Sequence, residues 1–214
     1  MRIFRTTTLV LLVLFSIVTL AQESETSLDS TKSGNTNQQS DKDPKKPEQA
    51  KAQINQLLEG ALLVRLQTKN KSITALREKG NDKLADKIEA EQRKYNLEIA
   101  SAFKTLFDFC PVYFFYSDDS QKIRERQFDQ VVFLSESLLP DTEIKLTKDY
   151  FLTAEFGTIE GENAFGALII KDDQFKELER PFPYYVRTFE SLPIVRRSVY
   201  KTVLMMNAKL HEFY

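Results

Sequence analysis

Cys110 is the only cysteine in this chain, so no intramolecular disulfide can staple whatever it folds into. The constraint bites because the N-terminus has the form of an export signal. Arg2 and Arg5 supply a positive start, and Leu9 to Leu20 is an apolar run broken only by Ser16 and Thr19. Small residues Thr19 and Ala21 then stand just before a cut expected at Gln22. The run is about a dozen residues, short of the ~20 that span a hydrocarbon core. An uncleaved anchor is the alternative, while attachment through a lipidated cysteine is excluded because none follows the run. An exported domain without bridges must stand on its own core. A secreted eukaryotic chain of this size more often carries them, which points to a bacterial periplasm or extracellular space.

Residues 22–48 are almost wholly polar, with Leu28 the one large apolar side chain. Such a stretch buries too little surface to offset the entropy of ordering it, and it reads as a disordered tether. The expected organisation is therefore a signal peptide over 1–21, a tether over 22–48 and one α/β domain over 49–214. Loss of the leader removes two of the 30 basic residues and none of the 31 acidic ones, leaving a net charge of −3. That balance argues against nucleic acid or anionic lipid as the main partner.

The domain reads as alternating helical and extended segments. Ile54, Leu57, Leu58 and Ala61 recur at helical spacing. Beyond Gly60, the compact run Ala61–Leu66 favours a strand, a helix continuing through Gly60 being the alternative. A long helix is expected over 72–109, with Ser72 as its N-cap and an apolar stripe of Leu84, Ile88, Tyr95, Ile99, Phe103, Leu106 and Cys110. Unbroken, it would reach roughly 55 Å, longer than a small domain is wide. Gly80-Asn81-Asp82 is the expected break, with Asp82 capping the second half. Pro111 ends the helix, and Val112–Tyr116 is apolar on both faces, as suits a strand inside a sheet.

A short helix and a second apolar strand, Val131–Leu134, follow closely, which predicts a parallel pair joined by a crossover. Ile144–Leu146 and Tyr150–Phe156 alternate, placing Leu152, Ala154 and Phe156 on one face. Past a turn at residues 161–163, Ala167–Ile170 is the expected hairpin partner. Tyr184–Thr188, after Pro181 and Pro183, suits an edge strand. Pro193 is expected to open a C-terminal helix over 193–213 with a stripe of Val195, Val199, Val203, Met206, Leu210 and Phe213. The fold class is α/β: a mixed sheet of five to six strands with the two long helices laid on its faces.

Chemistry-bearing groupings are sparse. His211 is the sole histidine and sits three residues from the end, a poor position for a catalytic triad. Cys110 lies on an apolar stripe and reads as a small buried hydrophobe. Phe182, Tyr184, Tyr185 and Tyr113–Tyr116 suit strand packing better than a sugar platform. Arg196, Arg197, Lys201 and Lys209 form the solvated face of the last helix. The sharpest grouping is Asp118-Asp119 after one strand and Asp172-Asp173 after another. If both strands pointed the same way, four carboxylates would meet at one sheet edge and hold Mg²⁺ or Ca²⁺. The bland reading is that each pair serves its own turn.

No Gly-rich phosphate loop, nucleophile elbow, CxxC or HExxH occurs. The expectation is thus a non-enzymatic, exported binding or accessory protein without a cofactor, acting on another envelope component or a small ligand. The alternative is a carboxylate-dependent hydrolase using Asp118, Asp119, Asp172 and Asp173.

Overall fold

The computed structural model describes residues 45–159, 164–190, 192 and 194–214. The leader, the tether up to residue 44, the turn at 161–163 and Pro193 lie outside them. The elements are α1 (Lys45–Glu59), β1 (Ala61–Leu66), α2 (Asn70–Glu78), α3 (Asp82–Leu106), β2 (Val112–Tyr116), α4 (Ser120–Arg124), β3 (Phe133–Leu134), β4 (Phe151–Ile159), β5 (Phe165–Lys171), β6 (Tyr185–Arg187) and α5 (Val199–Phe213). Helix α1 takes in the last four residues of the stretch read as tether.

The strands form one mixed sheet in the order β3-β2-β1-β4-β5-β6. β1 is central and runs parallel to both neighbours, with Leu66 beside Tyr116 and Ala61 beside Phe151. β4 and β5 form the expected antiparallel hairpin, and β6 closes the far edge against β5. Alternation divides the side chains between the two faces of the sheet. Leu62, Val64, Leu66, Phe114, Leu152, Ala154, Leu168 and Ile170 face a cluster shared with α1, α3 and α5. Ala61, Leu63, Phe115 and Phe151 face a smaller one with Ile123 of α4. The two long helices thus share one face of the sheet and do not straddle it.

β2 and β3 are antiparallel, with Phe114 opposite Leu134 and Phe115 opposite Phe133, which corrects the expected parallel crossover. A helix that returns past a five-residue strand must cover about 17 Å, or about 11 residues. α4 has only five. The chain turns back at Arg126, whose φ is 55°, and pairs by reversal instead. Ile144 and Leu146 alternate but form no strand; they pack on the smaller core as irregular chain. Beyond Leu134 the sheet edge is instead met by a bridge from Pro140.

Helix boundaries also shift for identifiable reasons. Ser72 lies inside α2, because Lys69, at φ 56°, precedes the helix and its carbonyl accepts from Ser72 N and Ile73 N. The break at Gly80 occurs as expected, but Asn81 is the capping residue and Asp82 opens the first turn. α3 stops at Leu106 and not at 109, since Asn207 on α5 takes the amides of Asp108 and Phe109 on its Oδ1, both at 3.2 Å. α5 begins at Val199: Ser198 caps it by accepting from Lys201 N, and Val195 stands half exposed outside the helix.

Candidate functional site

β1 and β2 are parallel neighbours whose onward connections leave on opposite faces. From β1 the chain enters α2 and α3, and α3 packs on the larger core. From β2 it enters α4, which packs on the smaller one. Open α/β sheets have a crevice at such a divergence, outside the carboxyl ends of the strands. Here it is a cleft of about 260 Å³, lined by Thr68 and Asn70 after β1, Tyr116 and Asp118 at the end of β2, and Gln92 and Asn96 from α3.

Gln92 and Asn96 are the buried polar residues of α3, at 7% and 3% exposure, where apolar side chains would ordinarily sit. Gln92 Nε2 donates to Asn96 Oδ1 at 3.0 Å, and Asn96 Nδ2 donates to the Gln67 carbonyl at 2.8 Å. Their burial is affordable because each is tied into a chain of hydrogen bonds ending on the β1 loop. Periodicity counted on apolar residues passes over them. The inward stripe is Ala85, Gln92, Asn96, Ile99 and Phe103, while Leu84 points half into solvent. The spacing of Gln92 and Asn96 ahead of Ile99 and Phe103 was the available signal.

The four aspartates do not converge. The antiparallel hairpin sets Lys171 opposite Thr153, so Asp172 and Asp173 lie at the amino-terminal edge of the parallel strands, while Asp118 and Asp119 lie at the carboxyl edge. Asp118 accepts from Thr68 Oγ1 at 3.0 Å and Asn70 Nδ2 at 2.6 Å, clasping the two loops of the crevice. Asp119 pairs with Lys122 at 2.6 Å. Asp172 accepts the amides of Gln174 and Lys176 in its own turn, and Asp173 pairs with Arg126 at 2.7 Å. Among the described residues no group of three or more His, Cys, Asp or Glu side chains is arranged to hold a metal ion.

A second polar cluster, invisible to motif reading, sits on the smaller-core face. Glu155 of β4 accepts from Arg65 of β1 and, at 2.7 Å, from Lys171 of β5. Arg65 also donates to Ser120 Oγ at 2.8 Å and stacks over Phe175. Burial pushes the Glu155 carboxyl up, but Lys171 and Arg65 outweigh it and hold its pKa below the ordinary value.

The remaining candidates serve structure. His211 is half exposed and bonds Asp108 at 2.8 Å, its ring edge-on to Phe109. The Cys110 thiol is buried, and that burial raises its pKa to about 12. Tyr184 and Tyr185 pack edge to face, with Arg180 and Lys209 over the Tyr185 ring. Compared with known proteins, the chain matches no family model, no curated protein and no solved structure.

Proposed function

We propose that this chain is an exported, bacterial envelope-associated accessory protein that holds a small polar ligand in the crevice between β1 and β2, without transforming it. The buried Gln92–Asn96 pair carries the reading. The pair is satisfied by its own hydrogen bonds, yet it places amides, in line with the apolar residues Ile99 and Phe103, at the wall of a cleft at a strand-end divergence. The other groups at the crevice are the hydroxyls of Thr68 and Tyr116, the amides of Gln67 and Asn70, the carboxylates of Asp118 and Glu89, each already held by donors, and the guanidinium of Arg93, a set suited to gripping hydrogen-bonding molecules. The export reading rests on Arg2, Arg5, the apolar run to Leu20 and the polar stretch behind it.

The test is a thermal-shift and calorimetric screen of the protein against monosaccharides, amino acids and nucleosides. At least one class should raise the melting temperature, and Asn70→Ala and Arg93→Ala should each weaken that binding. A screen with no binder, or a binder indifferent to both substitutions, overturns the assignment. Intact mass from the native host should correspond to a chain beginning at Gln22; retention of residues 1–21 would replace release with anchoring.

A further inference from the structure

Among the described residues nine large apolar side chains stand exposed, and five of them fall between Leu192 and Leu204. Scattered exposed apolar side chains are ordinary, but a cluster calls for a partner. Ile194 is fully exposed, and Leu192 and Val195 are half exposed. They stand on the turn between β6 and α5, where the Val195 amide donates to the Leu192 carbonyl at 3.1 Å. Arg197 closes the base of that turn. Its amide donates to the Thr188 carbonyl at 2.8 Å and its guanidinium to the Arg187 carbonyl at 2.7 Å. Tyr200 and Leu204 follow one turn apart on the same side of α5.

Charge is segregated along the same stretch. Residues 191–211 include four basic residues, Arg196, Arg197, Lys201 and Lys209, and no acidic one, in a chain with 31 acidic residues. Arg197 is engaged at the base of the turn, and Lys209 donates to the Tyr185 carbonyl at 3.2 Å. Arg196 and Lys201 are exposed and form no ion pair among the described residues. Of the carboxylates nearby, Glu190 leans over Gly166, 3.3 Å from where a Cβ would stand, and Glu98 lies by Tyr95 on α3. The whole-chain charge disfavours anionic lipid, but a field reaches only about 8 Å in physiological salt. The local segment decides.

We propose that this turn inserts into an anionic bilayer surface, with Leu192, Ile194 and Val195 among the upper acyl chains and Arg196 and Lys201 at the phosphates. A protruding side chain needs no matching pocket in a bilayer, whereas a protein partner would have to supply one. A second copy is disfavoured, because a two-fold contact sets Arg196 and Lys201 against their own counterparts. The contact is separate from the crevice, so either assignment can fail alone.

The chain contains no tryptophan. Ile194→Trp therefore supplies a fluorophore at the tip alone, and Leu139→Trp supplies one at an exposed position elsewhere. Neither substitution disturbs the core. The full chain is titrated with phosphatidylcholine vesicles made with and without phosphatidylglycerol. On the phosphatidylglycerol vesicles the Ile194→Trp emission should shift to the blue and be quenched by brominated acyl chains, while that of Leu139→Trp should stay as in water. Adding Arg196→Gln or Lys201→Gln should each raise the lipid concentration needed for that shift about fivefold, the worth of one cation at such a surface. Attachment through the leader alone would leave both indoles in water and overturns the proposal. So does an equal response on pure phosphatidylcholine, or one indifferent to both glutamine substitutions. A blue shift without vesicles that grows with protein concentration would make the turn a contact between copies of the chain, and overturns it as well.

Discussion

Arg65 and Glu155 join the two central parallel strands: the guanidinium Nη1 on β1 donates to the carboxylate Oε2 on β4, with Lys171 on β5 completing the cluster. The three side chains are only 24%, 10% and 17% exposed. Removing one partner from such a cluster leaves uncompensated charge in a poorly solvated place. Glu155→Ala should therefore cost about 3 kcal/mol in urea unfolding. Because the folded pKa of Glu155 is depressed, its contribution is fully present above the unfolded value, near 4.5, and is lost as pH falls through the folded one. The wild-type urea midpoint should accordingly decline below about pH 4.5, and Glu155→Gln should flatten that decline. A variant as stable and as acid-sensitive as wild type would show the cluster to be inert.

Cys110 should resist a thiol reagent in the native protein and react promptly once unfolded. With its pKa pushed up to about 12, little reactive thiolate exists at neutral pH. Native labelling should be at least about a hundredfold slower than that of an exposed thiol. Phe103 is fully buried and packs against the rings of Phe107 and Phe114. Phe103→Ala should cost about 3 kcal/mol and speed the labelling. Rapid native labelling would place the thiol outside the core.

Two glycines should respond unequally to alanine. A Cβ on Gly60 would stand 2.4 Å from the Tyr150 carbonyl oxygen and 2.7 Å from that of Gln56, both backbone atoms joining α1 to the chain before β4. Gly60→Ala should cost about 2–3 kcal/mol, because neither neighbour can yield cheaply. Gly80 has φ 72° but open space around it, so Gly80→Ala should cost only about 1 kcal/mol of backbone strain. Equal melting temperatures for the two variants would contradict this packing.

Asp118→Ala should lower stability by about 1 kcal/mol, the worth of its bonds to Thr68 and Asn70. Thermal unfolding of the wild type should be indifferent to Mg²⁺ and Ca²⁺. A cation-induced rise in melting temperature, abolished by both Asp118→Ala and Asp172→Ala, would restore the carboxylate-dependent hydrolase.

Features determined by neighbouring residues were readable in the sequence. The apolar run Val112–Tyr116 behind Pro111, the break at Gly80, the shared face of Leu152 and Ala154, the β4–β5 hairpin and the β6 edge all follow from local rules. Side-chain alternation, proline's missing amide and glycine's access to positive φ need no distant partner.

What tertiary structure decided depends on groups far apart in the chain. Asn207 ends α3 from across the domain, and the shortness of α4 turned a predicted crossover into an antiparallel pair. Gln92 and Asn96 were passed over because a polar residue is buried only when a partner such as the Gln67 carbonyl arrives to meet it. Arg65 and Glu155, 90 positions apart, carry no mutual signal in composition or spacing. The Asp pairs serve separate turns, as the plainer reading had it, but only the topology could decide between that and convergence. Their sequence context is alike, but the hairpin sends them to opposite edges of the sheet. Local periodicity reports which side chains leave water; which polar groups meet, and which strand ends share an edge, is set by chain reversals and long-range pairing.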